Sequence, residues 1–142
     1  MKNKHFTLIS LLLTFVISIS VKAEVVMITS YQTDITDLDA RIISRLYTGK
    51  IIEINGISVI PINQDPSNPL RARFLEKYLS QDEDKYAAYW TVRRFIGKGT
   101  PPKEFLSVSA ALDFIIETPG AIGYIDTNLS TLPKDIKIIS KQ

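Results

Sequence analysis

A small α/β domain, with a mixed β-sheet flanked by helices, is the fold class this 142-residue sequence predicts. Three observations carry that reading. Short apolar runs rich in Val and Ile alternate with stretches of helical periodicity. Asn55-Gly56 separates two Ile-rich runs, which is a strong hairpin signal. In Thr118-Pro119-Gly120-Ala121-Ile122-Gly123-Tyr124-Ile125 a helical pattern stops at proline, turns on glycine and enters a short apolar strand. Glycine there lets the backbone turn or approach a neighbour, and the strand belongs in a buried layer.

Residues 1–23 are set aside first. Lys2, Lys4 and His5 form a basic segment, Phe6 to Ser20 is an apolar run without charge, and Val21-Lys22-Ala23 is an acceptable cleavage site. This reads as a secretory signal peptide. A membrane anchor is the alternative, and the run falls short of the roughly 20 residues that cross a bilayer. The chain has no Cys, which excludes disulfides and lipoprotein anchoring. The expected mature chain is Glu24–Gln142, secreted to the periplasm, with no stable membrane insertion after cleavage.

In order, Glu24–Ser30 is a buried strand. A helix follows with Thr36 as its cap, Asp37 and Asp39 in its first turn, and Leu38, Ile42, Ile43 and Leu46 on one face; Gly49 ends it. Ile51–Ile54 and Ile57–Ile62 form the hairpin. Asp65-Pro66-Ser67-Asn68-Pro69 turns into a helix capped by Ser67 or Asn68, with Pro69 in its first turn and Leu70, Phe74, Leu75 and Tyr78 as its stripe. Asp82-Glu83-Asp84 opens a further helix carrying Tyr86, Trp90 and Arg93-Arg94, followed by a loop at 97–102. Ser107 caps a helix with Val108, Ala111, Leu112 and Ile115 on one face, closed by Pro119. Strands at Ala121–Ile125 and Ile136–Ile139 complete one domain over residues 24–142, a length that suits one modest core.

Composition excludes several functions. Setting aside Lys2, Lys4 and Lys22 leaves 14 of the 17 basic side chains against 15 acidic ones, a formal charge of −1. Nothing global attracts nucleic acid or anionic lipid. The single His lies at position 5, so residues 24–142 contain neither His nor Cys. The usual zinc, copper and haem sites need those residues, as do Ser-His and Cys-His nucleophile pairs. No metal, cofactor or catalysis is expected. The Gly120 junction precedes a strand rather than following one, which removes the dinucleotide and P-loop routes. Asp34, Asp37 and Asp39 lack the 12-residue grammar of a calcium loop and read as helix-start acids. Tyr89-Trp90 beside Arg93-Arg94 reads as core with arginines at its margin, or as an aromatic–cationic patch for a partner.

Four segments in order resemble one family. Leu46-Tyr47-Thr48-Gly49-Lys50, Asn55-Gly56 with Val59–Pro61, Phe95–Pro102 and Thr118–Ile125 are similar to motifs of PstS-like phosphate ABC transporter substrate-binding proteins. The resemblance runs from about Asp37 to Asp126 and covers only one of the two lobes of such a receptor. It implies one lobe of the type 2 periplasmic-binding fold. In the family, a loop carrying Arg, then Asp, then Ser-Gly-Thr at a helix start holds the anion. Asp65 and Ser67 match the Asp and Ser. Asn68 stands in the Gly position and Pro69 in the Thr position, no cation precedes Asp65, and Arg71 is the candidate substitute. The candidate oxyanion residues are therefore Asp65, Ser67, Asn68 and Arg71; the alternative is that the first three form only a turn and a cap.

Three charge-assisted hydrogen bonds at ~1.5–3 kcal/mol each, against an association cost of ~4 kcal/mol or more, leave a lone lobe with about millimolar affinity or weaker. The resemblance thus implies a non-catalytic solute-binding module for phosphate or a related oxyanion in uptake or sensing. The alternative is a ligand-silent accessory or sensory protein that docks on an envelope protein, a transporter or a sensor.

Overall fold

The computed structural model describes residues 23–128 and 131–141. The proposed signal peptide therefore lies, apart from Ala23, outside the described residues. The others form a small α/β domain built on a five-stranded mixed sheet. Its strands are β1 (Val25–Ser30), β4 (Ile60–Gln64), β5 (Lys103–Phe105), β6 (Ala121–Asp126) and β7 (Ile136–Ile138), in the order β5-β4-β6-β1-β7. β4 runs parallel to β5 and to β6, whereas β1 is antiparallel to β6 and to β7. β2 (Glu53–Ile54) and β3 (Ile57–Ser58) form a separate two-stranded ribbon.

β1 is apolar without alternation because both of its faces are covered. Val25 and Met27 join a core with α1 (Ala40–Tyr47), α2 (Pro69–Phe74) and α3 (Glu83–Phe95). Val26 and Ile28 join a second core under α4 (Val108–Glu117). The sheet is thus sandwiched between three helices and one. On the three-helix side Phe74 stacks on Tyr124 with ring centroids 4.0 Å apart, and Tyr47 lies 4.5 Å from Phe74. The Tyr47 hydroxyl donates to the carbonyl of Ile62 at 2.8 Å, tying α1 to the middle of β4. Burial pushes the Tyr47 phenol far above its usual range, and the neighbouring Tyr124 adds to the shift.

The two glycines of the Thr118–Ile125 segment have different tasks. Gly120 has φ +86°, and a Cβ there would lie 2.3 Å from the Ser58 carbonyl oxygen. Gly123 sits under α4, where a Cβ would meet the Ile115 Cδ1 at 2.7 Å. The first is a turn and the second a close approach, and both bring β6 into the middle of the sheet.

Four sequence expectations are corrected. The cap of α1 is Asp39, whose side chain accepts from the Ile42 amide, and not Thr36. The chain before it stays non-helical because Leu38 bridges to Ser140, and Asp37 is in the left-handed region at φ +54°. The hairpin turns at Asn55-Gly56 as expected, both at positive φ. Its pairing nonetheless ends with the bond from the Val59 amide to the Ile52 carbonyl, because Ile60 turns to bond the Gly120 carbonyl and begins β4. α2 continues as a π-helical turn, Leu75–Leu79, that ends at Ser80 in the left-handed region. β5 was not anticipated. Lys103-Glu104-Phe105 has one apolar residue, and only pairing with β4 makes it a strand.

Candidate functional site

β4, β5 and β6 are parallel, so their carboxyl ends bring Gln64, Phe105 and Asp126 to one edge of the sheet. Ligands of open α/β sheets bind at such edges. The Asp65–Asn68 turn leaves β4 there and enters α2. Beneath it lies a buried polar floor. The Tyr124 hydroxyl donates to Asn63 Oδ1, and the Gln64 amide donates to Asn63 Oδ1 at 3.0 Å and to the Tyr124 oxygen at 3.2 Å. Burial pushes the Tyr124 phenol well up, so it stays a neutral donor.

The four predicted residues do share this edge, but the structure engages each of them internally. Asn68 is the cap of α2, accepting from the Leu70 amide at 3.0 Å. Asp65 Oδ1 accepts from the Ser67 amide at 2.9 Å and from its hydroxyl at 2.5 Å. The Asp65 amide bonds Phe105, the Asn68 amide bonds Asp65, and the Arg71 amide bonds Asn68. Pro66 and Pro69 have no N–H. Every amide from Gln64 to Arg71 therefore already has a protein acceptor. An anion cradle needs those groups free.

Arg71 is buried, with 3% of its surface exposed. Nε and Nη2 form a bidentate pair with Glu83 at 2.7 and 2.6 Å, while Nη1 reaches the Gln64 carbonyl at 2.8 Å and Glu104 at 2.7 Å. Four of its five N–H donors are thereby used. Burial opposes the charge, but the bonds to Glu83 and then to Glu104 outweigh it and hold the pKa above its usual value. The expectation that Arg71 reaches back to the turn as a cation for an anion does not describe this side chain. It is the hub joining α2, α3 and β5.

Arg73, on the same helix, pairs with Asp126 at the end of β6. Together Asp65, Glu83, Glu104 and Asp126 set four carboxylates against the guanidiniums of Arg71, Arg73 and Arg94, a formal −1 at this edge. A cleft of about 230 Å³ opens beside Pro66 and is lined by Arg71, Glu83, Trp90, Arg94 and Glu104. Sequence reading missed Glu83 and Glu104. Glu83 reads as a solvated helix start, and Glu104 lies in a strand without an apolar pattern. Among the described residues no group of three His, Cys, Asp or Glu side chains is placed to hold a metal, and no helix is long and apolar enough to cross a membrane.

The carboxylates give the edge a definite acid response. The Ser67 hydroxyl and amide hold Asp65 below its usual 3.8, and the Asn128 amide and then Arg73 do the same for Asp126. A depressed folded pKa adds stability that is present above the unfolded value and lost as pH falls through the folded one. Urea midpoints are expected to drop on acidification below about pH 4, and less steeply in Asp126→Asn than in the wild type. Parallel acid profiles for the two proteins would contradict that pairing.

No family model and no curated protein matches the chain. Solved structures do. PstS from Borrelia burgdorferi matches with a TM-score of 0.64 at 18% identity, over 83% of this chain and 47% of that one. An ABC-type phosphate transport receptor from Vibrio cholerae gives 0.57 at 14%, over 82% and 45%. A substrate-binding protein from Clostridium perfringens solved with bound phosphate gives 0.64 at 16%, over 82% and 44%. The chain spans under half the length of these receptors and has the fold of a single-lobe form.

Proposed function

We propose that the protein is a non-catalytic, secreted module of the periplasm that keeps the lobe fold of phosphate receptors and acts by docking on an envelope protein. The observation that carries this reading is the closed turn. Every amide of residues 64–71 is bonded within the protein, and the nearest cation is neutralised by Glu83 and Glu104. Isothermal titration of millimolar phosphate or sulfate is expected to give no saturable heat with the wild type, and Ser67→Ala is expected to titrate identically. Saturable binding that Ser67→Ala abolishes would overturn the proposal.

That outcome would establish a second reading, weak binding of phosphate or a related oxyanion through Asp65, Ser67, Asn68 and Arg71. One observation favours it. The Ser67 hydroxyl is exposed and bonded only within its own turn, so a ligand can compete for it. The likeness to receptors described as phosphate-binding adds support.

The protein for both tests is made as the full chain and recovered from the periplasm of a bacterial host. Its intact mass is expected to begin at Glu24. An uncut chain in the membrane fraction would refute secretion through a cleaved leader.

A further inference from the structure

A separate hollow, of about 360 Å³, opens between the chain leading into β2 and the loop leading into β5. Ile51 and Ile52 form one wall, Pro101 and Pro102 the other, and the buried Trp90 lies at its base. Ile52 is 74% exposed. A small ligand is held by enclosure, with about 70–90% of its surface buried, and walls this open do not supply that. A bilayer takes up an apolar face that stands out from a protein, not one that lines a hollow. A segment of another chain can fill the base and cover both walls, and Trp is among the residues that most often anchor such contacts.

The charge around the hollow indicates which segment fits. The stretches that line it, 46–52, 59–61 and 90–103, contain Lys50, Arg93, Arg94, Lys98 and Lys103 and no acid, while the rest of residues 24–142 carries nine cations against 15 acids. Arg94 also lines the cleft beside Pro66. Arg93 donates from Nη2 to the Gly49 carbonyl at 3.2 Å, and its guanidinium lies 5.6 Å from the rings of Tyr89 and Trp90. Lys103 stands over Phe105 and Phe114, and Lys50 and Lys98 are exposed. Lys50, Arg93, Lys98 and Lys103 have no ion-pair partner among the described residues. Glu104 is held by Arg71, which leaves Glu53, next to Ile52, as the acid nearest in sequence.

We infer that this hollow is the surface on which the protein docks, and that it takes an acidic segment of an envelope protein. That segment presents an apolar side chain to Trp90, with Asp or Glu beside it for the unpaired cations. This rests on the proposed docking and names its partner's chemistry. The apolar contact is the anchor. The cations steer the encounter and select the partner, which is the usual part of charges at the rim of an interface.

Photocrosslinking in the cells that encode the protein tests it. The full chain carries a photoreactive phenylalanine in place of Ile52, or in place of Leu106 or Ile138, which are exposed elsewhere. The Ile52 position is expected to give an adduct with an envelope protein whose crosslinked peptide holds Asp or Glu beside an apolar residue. Lys50→Glu with Lys98→Glu, both on the surface and expected to keep the fold, should cut the yield of that adduct by about fivefold or more. Adducts from Leu106 or Ile138 with none from Ile52 would overturn the hollow as the docking surface and leave the docking itself standing. No protein adduct from any position would sink both. An Ile52 adduct of twice the chain's mass, or one indifferent to the charge reversal, would replace the acidic partner by a second copy or by apolar contact alone. Sedimentation of the secreted protein with phosphatidylglycerol vesicles, abolished by the same reversal, would assign the cations to a lipid surface and overturn the inference as well.

Discussion

Gly120→Ala is expected to destabilise the protein by about 3 kcal/mol or more, a large share of the about 5–15 kcal/mol that small domains hold in total. Two costs add. At φ +86° an alanine pays for a conformation that L residues rarely adopt, about 1–3 kcal/mol. Its Cβ would also meet the Ser58 carbonyl oxygen at 2.3 Å, and overpacking of that kind costs about 1–3 kcal/mol. The clashing atom is backbone, so no rotamer change relieves it.

Moving Ser58 is costly in turn. The chain there leaves the β2–β3 ribbon, and two residues later Ile60 donates to the Gly120 carbonyl at 2.9 Å. The Gly120 amide donates to Thr33 Oγ1 at 2.9 Å, which a shifted turn would orphan. Gly123→Ala is the informative contrast. Its Cβ meets the Ile115 Cδ1 at 2.7 Å, the far end of a side chain that can turn aside. Chemical denaturation should therefore show Gly123→Ala costing clearly less than Gly120→Ala. Equal losses would show that the contact at Ser58 is not what demands glycine.

That pair of glycines also marks how far the sequence is legible. The wording of residues 118–125 announces a turn into a buried strand, and both halves of that statement have a local cause. The Asn55-Gly56 turn and the Ser107 cap are equally local, and both are found where expected. β5 and the non-helical start before α1 depend instead on partners far along the chain, Ile62–Gln64 and Ser140. No window of residues around Lys103 or Thr36 contains those partners. The site divides in the same way. Asp65, Ser67 and Asn68 are legible as a turn with a cap, because those hydrogen bonds span two residues. The fate of Arg71 is not, because Glu104 lies 33 positions away.

Arg71→Ala is expected to cost about 3 kcal/mol, the lower end for breaking a buried charge pair. The discount follows from exposure, since the Glu83 and Glu104 side chains are 34% and 43% exposed and water can recover part of their solvation. What water cannot reach is the Gln64 carbonyl, which loses its partner beneath the turn. Glu83→Gln should cost more than Glu104→Gln, because Glu83 holds the guanidinium with two bonds and Glu104 with one. The same substitutions report on function. Glu83→Gln with Glu104→Gln removes two negative charges from the edge and leaves Arg71 without its two ion-pair partners. If these two carboxylates are what keep Arg71 from an anion, the double variant gives saturable heat with millimolar phosphate where the wild type gives none. An Arg71→Ala variant as stable as the wild type would mean that the guanidinium is not a structural hub, and its part in an anion site would then stand.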